Sequence, residues 1–141
     1  MSRPSVLLAD DSSAIVRHVS RLLQRDNQYE VVATARDGAG VLREFQRFKP
    51  DVIVLDISMG ELSGIDVARH LRDSGCYAKI VFLTVHEDSD FLAAAMGSGG
   101  SAYVIKSRLD IDLLAAIRAV LNGRHFVSAN LLQERDYDHP Q

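Results

Sequence analysis

Five short apolar segments alternate along this chain with five longer amphipathic segments, and this alternation limits the possible folds. The apolar segments are residues 5–9, 29–35, 52–55, 78–84 and 102–105. Each has the length of a strand, and between them apolar residues recur at helical spacing. Strands that alternate with helices predict a parallel sheet joined by right-handed crossovers, with helices on both faces. The chain is therefore expected to be a doubly wound α/β protein.

Capping and stop signals divide the chain between these strands. Serine or aspartate precedes most of the predicted helices, where its side chain can accept hydrogen bonds from free backbone N–H groups. On this basis helices are predicted to begin at residues 10–13, after residues 37–38 and after residue 63 or 64, then over residues 87–96, and from residue 110 to a stop signal at residues 122–123. The tail after Gly123 carries further apolar residues, and another helix could begin at Ser128.

Charge and cysteine content argue against several classes of protein. The 141 residues carry a net charge of -3, which argues against a nucleic-acid surface, and three arginines on the first helix are interpreted as a solvated face. The single cysteine, Cys76, allows no internal disulfide and fits a reducing cytoplasm. No apolar run approaches the roughly 18 residues of a membrane span, and Asp10 and Asp11 interrupt any signal-peptide core. A cytoplasmic, one-domain protein without a membrane partner is expected.

Reactive polar residues stand where four of the strands end. They are Asp10 and Asp11 after the first strand, Asp56 after the third, Thr84 on the fourth and Lys106 after the fifth. Because the carboxyl ends of parallel strands meet at one edge of an open sheet, we expect these side chains to share one cleft. Each residue alone has an ordinary structural explanation, as a helix or turn cap, a strand threonine or a solvated lysine. Their convergence at one edge favours a functional site.

The chemistry of this set points to phosphoryl transfer. Three close carboxylates repel one another, so either one takes up a proton or a cation binds among them. Mg²⁺ fits best, because it uses one or two carboxylates and leaves room for phosphate oxygens. The metal and Lys106 would offset the repulsion between Asp56 and a phosphoryl group, to which Thr84 could donate a hydrogen bond. Asp56 is thus predicted to be a nucleophile that forms an aspartyl phosphate.

On these residues the sequence resembles the receiver domains of two-component response regulators, the CheY-like family. The resemblance covers residues 5–123 and rests on the acidic pair, on Asp56 in an Asp-Ile-x-Met context closed by Gly64, and on Lys106 placed 22 positions after Thr84. It implies a flavodoxin-like, five-stranded parallel sheet in the order 2-1-3-4-5 with five helices. The stretches FLAAAMGSGGSAYVIKS and LLAAIRAVLNGRHFVS further resemble the NarL/FixJ-type subfamily.

The resemblance also implies how the phosphoryl group and the metal are bound. Asp56 would accept the phosphoryl group from a histidine kinase. Mg²⁺ would bind Asp11, Asp56 and the backbone carbonyl of Ser58 directly, and Asp10 would act through water. The chain would be a phosphoacceptor with self-catalysed transfer and autodephosphorylation rather than an enzyme.

Five positions match residues that respond to the phosphoryl group in the family. Thr84 and Lys106 would contact it, and Tyr103 matches the switch aromatic that turns inward on activation. Ser58 and His86 occupy the positions that flank the path of the hydrolytic water, where they are expected to set the lifetime of the phosphoryl group.

Three positions depart from the family pattern. Gly60 stands where proline is usual, so the loop after Asp56 is expected to be more flexible and to hold its metal-binding carbonyl less firmly. Ala102 replaces the usual glycine before the switch aromatic. Ser107 follows Lys106 where many receivers have a cis-proline. Because a cis bond before serine costs about 2.5–4 kcal/mol, a trans bond is predicted.

Members of the NarL/FixJ-type subfamily usually carry a LuxR-type helix-turn-helix after a linker, and none is recognised in this sequence. Residues 5–123 are therefore interpreted as the receiver domain, and 124–141 as a C-terminal extension or the start of a linker to an absent output domain. The expected function is a phosphorylation-dependent switch in transcriptional regulation, with a possible homodimer on activation and DNA bound only through that output domain. A stand-alone receiver is an alternative.

Three other functions stay open on the sequence. An unphosphorylated pseudo-receiver would act as a protein-interaction module, although the intact acidic pair, Asp56 and Lys106 argue against it. A flavodoxin-like cofactor binder would need a phosphate-binding loop after the first strand, where the acidic pair stands instead. A haloacid-dehalogenase-type phosphatase would need a second aspartate two positions after Asp56, where Ser58 lies.

Overall fold

Helices cover both faces of a parallel sheet in the computed structural model, which describes residues 3–128. The elements follow one another as β1 Ser5–Ala9, α1 Ser13–Asp26, β2 Glu30–Ala35, α2 Gly38–Phe48, β3 Val52–Asp56, α3 Gly64–Asp73, β4 Lys79–Thr84, α4 Ser89–Gly97, β5 Ala102–Ile105, α5 Leu109–Leu121 and β6 Phe126–Val127. A short 3-10 turn, Lys106–Arg108, joins β5 to α5. Within this part of the chain, no helix has both the length and the apolar character needed to cross a bilayer.

The strands pair in parallel in the order β2-β1-β3-β4-β5-β6, which confirms the predicted class and the predicted order of the first five. β3 lies between β1 and β4, and each of its residues is buried. α1 and α5 pack on one face of the sheet, whereas α2, α3 and α4 pack on the other. The strand order reverses beside β1 and β3, and open α/β sheets place ligands at the carboxyl ends of the strands at such a point.

The sheet has one strand more than the five that the sequence predicts. β6 pairs in parallel with β5. Directly after β6, the buried hydroxyl of Ser128 accepts a hydrogen bond from the N–H of Ile105 at 3.0 Å and donates one to Asp112 at 2.9 Å. Phe126 and Val127 therefore add a sixth strand to the sheet, and Ser128 fixes its end. The helix that the sequence predicts from Ser128 onward falls on residues outside the described part of the chain.

The first four helices begin with the predicted capping chemistry, whereas α5 begins at Leu109, one residue before the predicted opening residue Asp110, and has no side-chain cap. The side chains of Ser12, Asp37, Ser63 and Asp88 each accept a backbone N–H in the first turn of α1, α2, α3 and α4 respectively. α4 consequently begins at Ser89, two residues later than predicted. The peptide bond before Ser107 is trans, as predicted, and no cis bond occurs among residues 3–128.

Candidate functional site

Three carboxylates meet at the carboxyl-terminal edge of the sheet. Asp10 and Asp11 follow β1 and Asp56 ends β3, and one oxygen of each lies within 4.8 Å of the other two. Asp10 is fully buried and Asp56 is 3% exposed, whereas Asp11 is exposed to solvent. The structure thus brings together the three aspartates that the sequence singles out.

Lys106 places a positive charge against two of these carboxylates. Its Nζ lies 2.8 Å from Asp10 Oδ2 and 3.4 Å from Asp56 Oδ2. Burial acts to lower the pKa of Lys106, but its hydrogen bond to Asp10 and the charge of Asp56 together outweigh burial and raise that pKa. Lys106 therefore stays protonated, and its single ammonium pairs with two carboxylates of the cluster.

Asp56 is held in an environment that disfavours its charge. Burial, the largest effect, and the charge of Asp10 raise the pKa of Asp56 from 3.8 to about 6. Lys106 opposes this rise, as does the N–H of Ser58, which donates to Asp56 Oδ1 at 3.1 Å. The ionised form of Asp56 is therefore destabilised by burial and by repulsion from Asp10, which Lys106 and Ser58 offset only in part.

The oxygens of this cluster fit a small divalent cation. Asp10 Oδ1 accepts a hydrogen bond from the N–H of Ser12 at 2.9 Å. Asp10 Oδ2 is buried and lies 2.8 Å from the Lys106 ammonium, and no other residue among 3–128 donates a hydrogen bond to it. A buried carboxylate oxygen next to further carboxylates supplies the hard donors that Mg²⁺ prefers. Asp10, Asp11 and Asp56 could therefore hold such an ion, and the Ser58 carbonyl stays a predicted ligand.

Two glycines shape the loop between β3 and α3. The N–H of Gly64 donates to the carbonyl of Ile57 at 2.7 Å, and a Cβ at Gly64 would lie 2.2 Å from the carbonyl oxygen of Asp56. Gly60 has a φ of +74°, whereas proline is fixed near −65°. The glycine that replaces the family's proline therefore gives this loop a backbone conformation that proline could not adopt.

Replacing Gly64 with alanine is expected to lower the free energy of unfolding by about 2 kcal/mol, because the backbone must move to admit the methyl group. Urea denaturation measures this change. Gly97→Ala is the matched control, since a Cβ there meets nothing within 4 Å, and a change below about 0.5 kcal/mol is expected. Equal stability of the two variants would contradict the close approach at Gly64.

His86 joins the two loops that follow β3 and β4. Its Nε2 lies 3.0 Å from Ser58 Oγ, and its backbone N–H donates to Thr84 Oγ1 at 3.1 Å. The His86 ring stacks on the Phe91 ring, with centroids 3.9 Å apart and an interplanar angle of 8°. The sequence singles out Ser58, Thr84 and His86 but misses Phe91. An aromatic residue in the first turn of α4 carries no signal that it contacts the preceding loop.

Tyr103 on β5 is fully buried. Its hydroxyl donates to the carbonyl of His86 at 2.8 Å, so it contacts the loop that leads from β4 to α4. Burial, helped by the charge of Asp88, raises the pKa of Tyr103 above its usual value, and the phenol stays protonated. Tyr103 thus points into the protein, and its role as a switch stays a prediction.

A family model and a curated relative both match most of this chain. A family model described as the response regulator receiver domain matches residues 6–118. The oxygen regulatory protein NreC of Staphylococcus aureus (strain JH9) is 36% identical over 128 residues, which cover 89% of this chain and 58% of NreC. The chain thus spans well under two thirds of the length of this curated relative.

Solved structures resemble this chain over nearly its whole length. A two-component response regulator of the LuxR family from Aurantimonas sp. SI85-9A1 superposes with a TM-score of 0.92 at 34% identity, covering 97% of this chain and 98% of that one. The isolated REC domain of RcsB from Salmonella enterica serovar Typhimurium gives 0.86 at 20% identity, covering 94% and 98%. The signal receiver domain of NarL from Mycobacterium tuberculosis gives 0.84 at 24% identity, covering 88% and 100%. The last two likenesses show the fold alone.

Proposed function

The chain belongs to the response-regulator receiver family, of the type found in NarL- and NreC-like two-component regulators, and from this membership we propose that Asp56 accepts a phosphoryl group from a histidine kinase. The meeting of Asp10, Asp56 and Lys106 at one sheet edge carries the proposal, because Lys106 Nζ lies only 3.4 Å from the acceptor carboxylate. An ammonium at that distance can pair with the oxygens of an arriving phosphoryl group.

In the proposed transfer, a carboxylate oxygen of Asp56 attacks the phosphorus of the kinase's phosphohistidine. An O–P bond forms as the N–P bond breaks, and the departing imidazole keeps the electron pair and takes up a proton. The hydroxyl of Thr84 accepts the N–H of His86, so its own proton is available to the phosphoryl oxygens. Mg²⁺ bound by the three carboxylates would neutralise charge on those oxygens.

The second half of the proposed cycle is hydrolysis of the aspartyl phosphate, which returns Asp56 to its free carboxylate. A water oxygen attacks the phosphorus, the bond to Asp56 breaks, and inorganic phosphate and a proton are released. Ser58 and His86 lie on the two loops beside the acceptor and contact each other at 3.0 Å. We expect this pair to set the rate at which water reaches the phosphoryl group, so His86→Ala should change the autodephosphorylation rate.

The output of the switch is a second part of the proposal. A phosphoryl group on Asp56 would pull on Thr84 and Lys106 and bias the packing of Tyr103, which already holds the β4–α4 loop. NreC is longer than this chain, and a solved structure contains RcsB dimers bound to DNA. We therefore propose that the receiver controls a DNA-binding output domain joined to it and dimerises on activation. A stand-alone receiver is the alternative.

Incubation with acetyl phosphate and Mg²⁺ tests the phosphoacceptor. The wild-type protein is expected to gain one phosphoryl group, measured as the mass of the intact chain, because Asp56 attacks and acetate leaves. Asp56→Asn should gain none, since an amide is a poor nucleophile, whereas Asp90→Asn, at an exposed position on α4, should be labelled like the wild type.

A wild-type protein that takes no label from acetyl phosphate or from phosphoramidate would contradict the proposal. It would favour the pseudo-receiver, an interaction module without phosphorylation. Label retained in Asp56→Asn would instead place the acceptor at a different residue.

A further inference from the structure

We propose that Phe91 is a positioning residue that holds the His86 ring as a gate beside the phosphoacceptor, and that this gate slows both gain and loss of the phosphoryl group. The gate consists of the Ser58 hydroxyl, the His86 ring and the Phe91 ring. The inference rests on the proposed function of Asp56 and deepens it by naming what controls access to that carboxylate.

The gate spans the two loops directly at the acceptor. β3 and β4 are neighbours, and the last residue of β3, Asp56, lies opposite Leu83. The N–H of Ser58 donates to Asp56 Oδ1 at 3.1 Å, which anchors that loop to the acceptor itself. The contact of 3.0 Å between Ser58 Oγ and His86 Nε2 then joins the two loops beside the acceptor. A phosphodonor or a water arriving from this side must displace the bridge.

The backbone of His86 is held at both of its polar groups. Its N–H donates to Thr84 Oγ1 at 3.1 Å, and its carbonyl accepts the Tyr103 hydroxyl at 2.8 Å. Neither contact restricts rotation about the side-chain torsions, so neither determines where the ring lies. A single hydrogen bond to an exposed serine hydroxyl is weak against competition from water. The orientation of the ring therefore needs a further contact.

Phe91 supplies that contact. The two rings are nearly parallel with centroids 3.9 Å apart, which limits the His86 ring to one plane. Phe91 is itself fixed in the first turn of α4, where its N–H donates to the capping carboxylate of Asp88 at 3.0 Å. Its ring is half-buried and packs against the core between the sheet and α2–α4. The gate is thus attached to α4, so a movement of that helix would open it.

Rates of phosphorylation by acetyl phosphate, and of loss after the donor is removed, test the gate with Mg²⁺ present throughout. Phe91→Leu keeps an apolar side chain at the core but removes the stack, and both rates should rise about fivefold, which corresponds to about 1 kcal/mol. Phe91→Tyr keeps the stack and should stay within about twofold of the wild type. Loss of the ring-current shift on the His86 ring protons in Phe91→Leu alone would show directly that the ring has left its plane.

Two further variants separate the gate from a general effect on folding. In a His86→Ala background, Phe91→Leu should cause no further acceleration, because the ring that it positions is absent. Met96→Ala removes a half-buried side chain from the same helix and should leave both rates unchanged. The proposed gate would be contradicted if Phe91→Leu left both rates unchanged. It would also be contradicted if Phe91→Leu raised the rates equally in the wild type and in the His86→Ala background. A wild-type protein that takes no label would instead overturn the proposed function of Asp56.

Discussion

Replacing Lys106 with methionine is expected to lower the free energy of unfolding by about 3–5 kcal/mol near pH 8 in the absence of divalent cations. The Lys106 ammonium faces Asp10 Oδ2 at 2.8 Å and Asp56 Oδ2 at 3.4 Å. Methionine keeps an unbranched stem, one atom shorter than lysine, but leaves two buried carboxylates without a counter-charge. Urea unfolding in the presence of a chelator measures the loss.

This loss should depend on pH in a defined direction. Lys106 lowers the pKa of Asp56, so its removal should raise that pKa further above the value of the unfolded chain. Where folding raises the pKa of a carboxyl group, the protein loses stability as the pH rises from the unfolded pKa to the folded pKa of that group. Lys106→Met should therefore approach the wild type in stability near pH 4, and millimolar Mg²⁺ should restore part of the loss at higher pH.

Lys79→Met is the matched control, because Lys79 is exposed at the start of β4, at the opposite edge of the sheet. A change below about 0.5 kcal/mol is expected there. A Lys106→Met protein as stable as the wild type at pH 8 without metal would show that the two ion pairs contribute little.

Much of the fold can be predicted because its central strands are buried on both faces. β3 is an uninterrupted apolar run up to Asp56, and each of its five residues is buried. β6 could not be predicted in the same way, because two residues carry no periodic pattern. Its position depends on pairing with β5 and on the buried contacts of Ser128 with Ile105 and Asp112, which are remote in sequence.

In the candidate site, too, the sequence predicts which residues meet but does not predict their detailed contacts. The meeting of Asp10, Asp56 and Lys106 follows from topology, since the ends of parallel strands share an edge. Topology does not determine the distances between these side chains. Lys106 Nζ lies 2.8 Å from Asp10 Oδ2 and 3.4 Å from Asp56 Oδ2. The contact of Phe91 with His86 also depends on how α4 packs, and the cap at Asp88 alone does not determine that packing.

Asp56→Asn should stabilise the metal-free protein by about 3 kcal/mol near pH 8. Because the pKa of Asp56 is raised from 3.8 to about 6 on folding, the folded state binds this proton more tightly than the unfolded state does. The wild type should therefore lose stability as the pH rises from about 4 to about 6 and then keep the lower value. Asparagine carries no charge, so the variant should lack this decrease.

Urea unfolding at a series of pH values with a chelator measures the difference, which should be small near pH 4 and largest above pH 6. Asp90→Asn, at an exposed position, should follow the wild-type profile. Mg²⁺ should stabilise the wild type more than Asp56→Asn, because the variant lacks one carboxylate ligand. Identical pH profiles for wild type and Asp56→Asn would contradict the raised pKa. Burial and the charge of Asp10 would then not destabilise the Asp56 carboxylate, and the metal and the phosphoryl group would have no such repulsion to relieve.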